Sequence, residues 1–323
     1  MTDTPSAMHE AIASLSAPRR AEVLVEALSW MRELRGSIVV IKYGGHAMTD
    51  PDAQLSFAAD VQFLHQAGMF PVVVHGGGPQ VSAMLTRLGI ETPFVDGVRV
   101  TTPEAMEIVR MVLTGSVQRR LIGLLNRRDN LAIGISGEDG ALLRAQRRRI
   151  GSDGSARDFG LVGDICGVDT GAVIDLLEAG RIPVISSIAL DDEDPTQVLN
   201  INADAAASAI AAALHAPKLL MLTDVEGIYA NYPDPSSLIT KITVSHLREL
   251  GESISSGMIP KVDACVEAIA GGVGAVHIID GRMPHSVLVE LMTDEGNGTM
   301  VIPDPVLDEA DTGDAAISLD TPR

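Results

Sequence analysis

VVVHGGGPQV (72–81) runs three valines and a histidine directly into Gly76, Gly77 and Gly78, and a proline follows. The β-branched run reads as a buried strand. Pro79 suits the first turn of a helix, and Val81, Met84, Leu85 and Leu88 share one face of the pattern behind it. The stretch is therefore a strand, a loop and a helix. A tight turn needs one glycine or two, and each glycine loses more backbone entropy on folding than any other residue. Three together point to a loop whose bare N–H groups lie against a ligand.

Similar units lie on either side. SIVVIKY (37–43), LAIGIS (131–136), IPVISSI (182–188), LLMLTD (219–224) and AVHIID (275–280) also read as strands, with helical patterns between them. In ADAAASAIAAALHA (203–216) the alanines allow close packing on a sheet. Continuous apolar strands joined by helices predict an α/β fold with a mainly parallel sheet covered on both faces. Ligands in such folds collect at the carboxyl ends of the strands, where KYGG, HGGG and TDVEG all fall. Before the first strand, residues 7–35 form a helical pattern with an apolar stripe at Val23, Ala27, Trp30, Met31 and Leu34, which Pro18 is expected to kink or divide. After it, residues 304–323 carry six acidic residues and one basic one, a composition that predicts disorder.

Composition narrows the function. The 323-residue chain is 46% hydrophobic and has a formal net charge of −19. That charge argues against binding nucleic acid or an anionic membrane, both of which draw affinity from Lys and Arg. The basic run RAQRRRI (144–150) has no interleaved aromatic residue and reads as a solvated face or hairpin. No apolar run is long enough to span a bilayer, and MTDTPSAMHEAIAS (1–14) has no secretory pattern. Cys166 and Cys265 sit at neither metal nor redox spacing, which predicts reduced thiols in a cytoplasmic protein. His65, His75 and His215 lack partners at metal spacing and read as structural, so no protein metal site is expected.

In IKYGG (41–45), Lys42 stands at a strand end beside two glycines. Neither glycine loop matches G-x-x-x-x-G-K-[ST], and no G-x-G-x-x-G occurs, which disfavours the folds built on those motifs. Two glycine loops in successive units, one with an embedded lysine, favour a phosphate or carboxylate site.

IKYGG, VVVHGGGPQV, DGVRVT (96–101), NINADAAAS (200–208), TDVEGIY (223–229) and GMIPKVDAC (257–265) occur in the order and spacing of the amino acid kinase family. Over residues 37–303 the chain resembles that family, and within it the branch acting on N-acetyl-L-glutamate. The resemblance implies a three-layer αβα sandwich, with a substrate lobe at 37–215, an ATP-binding lobe at 216–303 and an N-terminal interface helix within 1–36. It implies transfer of the γ-phosphoryl of ATP, with Mg²⁺, to a side-chain carboxylate. A glutamyl carboxyl is already ionised at neutral pH, so no general base is required. The residues must bring two anions together and stabilise charge on the moving phosphoryl.

By the same resemblance Lys42 and Lys261 flank the phosphoryl and Asp204 orients them. Arg99 grips the substrate α-carboxylate and Asn200 bonds the substrate. Gly77 and Gly78 supply N–H groups, Gly45 lies along the phosphoryl path, and Thr223, Asp224, Gly227, Gly257 and Met258 bind nucleotide. The residues alone leave Asp204 as a helix N-cap, Arg99 as a surface ion pair and Asn200 as a turn residue.

The N-terminal helix resembles that of arginine-inhibited members, which form hexamers as trimers of dimers. HSVLVELMTDEGNGTMV (285–301) resembles their effector block. Lys241, His285, Glu290, Gly296 and Gly298 are then the expected contacts for L-arginine. The resemblance leaves open whether a PII signalling protein binds. Two competing readings remain: another kinase of the family, for aspartate, glutamate, carbamate or uridylate, and a non-catalytic amino-acid sensor on the same fold.

Overall fold

The computed structural model describes residues 16–151, 153–232, 234–251 and 258–305. Gly257, residues 1–15 of the N-terminal extension and residues 306–323 of the tail lie outside the described residues. The central sheet contains β1 (Ile38–Tyr43), β2 (Phe70–His75), β3 (Ala132–Ser136), β4 (Ile182–Ser186), β5 (Lys218–Thr223), β6 (Lys241–Thr243), β7 (Ala275–Asp280) and β8 (Thr299–Ile302). Its order is β6-β8-β7-β5-β1-β2-β4-β3. From β7 to β3 all strands are parallel, while β8 runs antiparallel to β7. The first strand thus lies mid-sheet, with β2 on one side and β5 on the other. Such a reversal of strand order opens a crevice at the carboxyl edge.

The helices are α1 (Ala17–Leu34), α2 (Pro51–Gln66), α3 (Gly78–Leu88), α4 (Pro103–Arg110), α5 (Gln118–Leu125), α6 (Gly171–Glu178), α7 (Ala203–Ala213), α8 (Val244–Gly251), α9 (Ile259–Ala270) and α10 (Ser286–Met292). A π-helical turn, Met111–Val117, joins α4 to α5. On one face of the sheet α2 packs against β2, α5 and α10. On the other, α7 packs against β1, β2, β5 and α9. Tyr43 and Lys42, adjacent in β1, show the two faces: Tyr43 stacks on Phe57 of α2, and Lys42 reaches Asp204 of α7. The result is the expected αβα sandwich. The sheet runs unbroken across position 215.

A second sheet, ordered Val198–Asn200, Ile188–Asp191, Leu143–Arg147 and Gly163–Val168, stands beside the first. IPVISSI therefore divides, because β4 ends at Ser186 and Ile188 opens a strand of this smaller sheet. The basic run is a solvated, acid-paired face: Arg144 meets Asp192, Arg147 meets Asp191, Arg148 meets Asp164 and Arg149 meets Glu193. A hairpin pairs Phe94–Val95 with Val98–Arg99. Its turn has positive φ at Asp96 (51°) and Gly97 (74°), the type I′ geometry that Asp-Gly favours.

Pro18 stands in the first turn of α1 behind a Ser16 cap, where proline costs no helix hydrogen bond, and residues 7–15 lie outside the described residues. Two local expectations are corrected. Leu88 is 51% exposed although Val81 and Leu85 are buried, because α3 ends there at a left-handed Gly89. Along α1, Leu34 is buried and Trp30 and Met31 pack on the core, but Val23 is 48% exposed. Among the described residues no helix is long and apolar enough to cross a membrane.

Candidate active site

Lys42 is the penultimate residue of β1, and its side chain turns into the crevice. Its ammonium lies 2.9 Å from Oδ1 of Asp204. A side chain at Gly44 would place Cβ 2.8 Å from that Nζ, so the glycine gives the ammonium room. Lys261, in the first turn of α9, reaches Oδ2 of Asp204, also at 2.9 Å. Asp204 is 5% exposed. Burial alone would raise its pKa, but the two ammonium groups outweigh burial and hold it at about 2. It does not cap α7: Asn202 accepts the N–H groups of Asp204 and Ala205, leaving the Asp204 carboxylate to the lysines. Two lysines from opposite halves of the chain thus converge on one anion. Buried charge of this kind requires pairing.

The HGGG loop lies against this triad. A Cβ at Gly76 would approach Ala203, the residue before Asp204, at 3.1 Å. Gly77 has an additional constraint, since its Cβ would lie 2.7 Å from Leu113 and 3.1 Å from Val117 of the π-helical turn. Above Gly78 there is open space. The three glycines thus have separate reasons, and at Gly77 packing is one of them. Gly45 has φ of +68°, and a Cβ there would lie 2.8 Å from Asp224 Oδ1, so this loop and the loop after β5 touch.

Arg99 ends the hairpin. It donates to Thr92 Oγ1 at 2.7 Å and Ser82 Oγ at 2.5 Å, and it lies 4.6 Å over the Phe94 ring. Burial lowers its pKa. It has no carboxylate partner among the described residues, whereas Arg110, Arg144, Arg147, Arg148, Arg149, Arg157 and Arg282 each have one. In so acidic a chain, a half-desolvated guanidinium held by neutral hydroxyls is suited to an external anion. Asn200 is connected to it through Thr101, whose hydroxyl donates to Arg99 O at 3.0 Å and accepts from Asn200 Nδ2 at 3.2 Å.

Beyond β5, Thr223 closes a turn on Val225 through its hydroxyl, fixing the start of the loop. Gly227 presses on Thr299 of β8. Met258 caps α9 and accepts from Lys261 N. Sequence reasoning missed Arg282, which chelates Asp280 and feels the charges of Asp224 and Glu226. It also missed Ser82, Thr92 and Thr101, because hydroxyl residues are common and only tertiary structure selects these.

The expected effector residues divide. Glu290 is bonded at both oxygens, to His277 Nδ1 at 2.5 Å and to Asn297 N at 2.8 Å, with Gly296 against it. Gly298 packs on the Ile278 carbonyl. His285 points elsewhere, to Asp60 of α2 at 2.5 Å. Lys218, unnoticed in the sequence, lies in the field of Glu33 from α1, Glu290 and Lys241; burial, the largest influence, lowers its pKa. The N-terminal helix and the 285–301 block are thus neighbours, and α1 packs on α10.

A crevice that brings two lysines to one aspartate beside two glycine loops is suited to binding anions. The sequence profile of the amino acid kinase family matches residues 37–280. The chain is 56% identical to the acetylglutamate kinase of Beutenbergia cavernae over 300 residues, covering 93% of this chain and 96% of that one. It is 57% identical to the acetylglutamate kinase of Bifidobacterium adolescentis, covering 90% and 91%. Among solved structures it resembles N-acetylglutamate synthase from Neisseria gonorrhoeae complexed with coenzyme A and N-acetyl-glutamate, at 25% identity and a TM-score of 0.77. That likeness covers 88% of this chain and 64% of the synthase. Carbamate kinase from Giardia lamblia shares the fold at a TM-score of 0.60 and 20% identity, covering 83% of this chain and 99% of that one. The chain belongs to the amino acid kinase family, and it is a kinase.

Proposed function

We propose that this kinase transfers the γ-phosphoryl of ATP to the side-chain carboxylate of N-acetyl-L-glutamate, giving N-acetyl-L-glutamyl 5-phosphate for arginine biosynthesis. The observation that carries this reading is the pair of cationic clusters: the Lys42–Asp204–Lys261 bridge, and Arg99 with only hydroxyl partners among the described residues. The relatives at 56–57% identity bear the name acetylglutamate kinase. Substrate carboxylate binds by its α-carboxylate to Arg99 and by hydrogen bonds to Asn200, in the lobe 37–215. ATP binds in the lobe 216–303 beside Thr223, Asp224, Gly227, Gly257 and Met258. Mg²⁺ enters with the nucleotide, held largely by phosphate oxygens and water, a mode that needs few protein carboxylates. The ammonium groups of Lys42 and Lys261 stabilise charge on the phosphoryl in flight, and Asp204 keeps them apart and aimed.

L-Arginine is proposed as an inhibitor, bound near Lys241, His285, Glu290, Gly296 and Gly298 beside α1, in a cytoplasmic hexamer built as a trimer of dimers. One solved synthase of similar fold, at 26% identity, is complexed with L-arginine.

The test is an ATP-dependent acyl phosphate assay with N-acetylglutamate, glutamate and aspartate, each with and without arginine. Turnover confined to N-acetylglutamate supports the reading. Preference for glutamate or aspartate points to a different member of the family, and no turnover with any of the three places the acceptor outside this set.

A further inference from the structure

His75 ends β2, fully buried, and the proposed chemistry gives it no task. It pairs in register with Tyr43, which stacks on Phe57 of α2. Registered neighbours share a face of a sheet, and successive residues alternate. The imidazole therefore lies on the α2 face, opposite Lys42 and Asp204. Its Nδ1 is 2.9 Å from the carbonyl oxygen of Gly76. A carbonyl only accepts, so Nδ1 carries the proton and Nε2 the lone pair. Burial lowers the pKa to about 4, which keeps the ring neutral at working pH.

Nε2 has no hydrogen-bond partner among the described residues. A leucine would fill this position without burying an unpaired nitrogen, so packing alone does not account for a histidine. What the ring adds is its grip on one peptide group. The peptide joining Gly76 and Gly77 is planar and trans, so its C=O and N–H point in opposite directions. With the carbonyl drawn to the α2 face, the Gly77 N–H is presented on the α7 face, where the triad lies. That N–H donates to no protein acceptor among the described residues. A Gly-Gly peptide rotates with little steric hindrance, so the orientation depends on an external hold.

We propose that His75 is a positioning residue: its Nδ1–H fixes the Gly76–Gly77 peptide so that the Gly77 N–H faces the phosphoryl being transferred to the substrate carboxylate. This rests on the kinase reading above. His75→Leu should lower kcat about 10–100-fold, less than the roughly 10²–10³ of deleting a donor outright, because the released peptide keeps its N–H and still samples the aimed orientation, while leaving KM for ATP unchanged. His75→Asn, whose Nδ2–H stands where Nδ1–H does, should recover most of the lost turnover. His75→Gln, which places its amide one bond farther out, should not. Wild-type turnover in His75→Leu, or an Asn variant as impaired as the Leu variant, would overturn the proposal. A second measurement needs neither activity nor a variant that turns over. The ¹⁵N spectrum of histidine-labelled wild type should show a non-titrating neutral imidazole protonated at Nδ1. If every neutral imidazole carried its proton on Nε2, the hydrogen bond would be absent and the proposal would fail. If the unmodified chain phosphorylated no carboxylate, the kinase reading would fail instead, and the tautomer result would still report on the hydrogen bond.

Discussion

Lys42 and Lys261 reach one carboxylate from two different elements, each at 2.9 Å. Their charge is therefore fixed before a substrate arrives, which is what stabilising a moving phosphoryl requires. Lys42→Ala or Lys261→Ala should lower kcat by about 10²–10³ with a much smaller effect on ATP binding, as for removal of one transition-state donor. Steady-state kinetics with direct nucleotide titration separates the two effects. Asp204 adds a pH signature. Its folded-state pKa, about 2, lies below the ordinary value of 3.8. It therefore stabilises the fold above that ordinary value, and the contribution is lost as pH falls toward the folded pKa. The expected size is on the order of 2 kcal/mol at neutral pH. Denaturation of wild type and Asp204→Asn should differ by a steady margin from pH 7 to about 4 and by a shrinking one below it. For Arg99, replacement by lysine keeps the charge but loses the fork that matches a carboxylate. Arg99→Lys should raise KM for N-acetylglutamate about tenfold or more and leave KM for ATP nearly constant.

The loop between β2 and α3 separates two kinds of glycine. At Gly77 a larger side chain meets Leu113 and Val117 of the π-helical turn, while above Gly78 there is only open space. Gly77→Val should therefore destabilise the fold by about 1–3 kcal/mol through overpacking. Gly78→Val should melt like wild type yet lose activity, because its side chain enters the crevice. Thermal melts beside kinetics distinguish them, and an active Gly78→Val enzyme would make the loop a simple turn. The sequence revealed this loop because strand, glycines and proline are consecutive there. The triad was legible only through the family motifs, since Lys42, Asp204 and Lys261 are scattered along the chain. The π-helical turn was not legible at all: MVLTGSV gives no helical period to read, and its role follows from what it touches. The same holds for Thr101, which bridges Arg99 and Asn200 from an otherwise ordinary position.

At the scale of the whole molecule, α1 presents one packed face and one exposed face. Trp30, Met31 and Leu34 pack on the body of the protein, while Leu24 (72% exposed), Val25 (69%) and Leu28 (42%) are left in solvent. An apolar strip of this kind on a terminal helix fits contact with another subunit. The inward end of the helix brings Glu33 near Lys218 and Glu290, so the proposed subunit contact and the proposed arginine site share one element. A ligand shifts an enzyme only by the difference in its affinity for two states, and in the proposed hexamer those states are two arrangements of subunits about α1. In the proposed hexamer, Leu24→Glu with Leu28→Glu should leave dimers without unfolding, since both side chains are exposed, and should weaken the proposed inhibition by arginine while sparing turnover. Glu290→Gln should do the opposite in part. It keeps an acceptor for Asn297 N but removes the negative charge, so inhibition should weaken about tenfold or more while the assembly stays intact. A chain beginning at Ser37 should lose both the proposed hexamer and most of the proposed inhibition. Solution mass and arginine dose–response curves on each variant read the two properties separately. If the double glutamate variant stayed hexameric, the exposed strip would not be the contact. If the intact enzyme ignored millimolar arginine, the regulatory reading would fall while the assignment of the catalytic lysines stood.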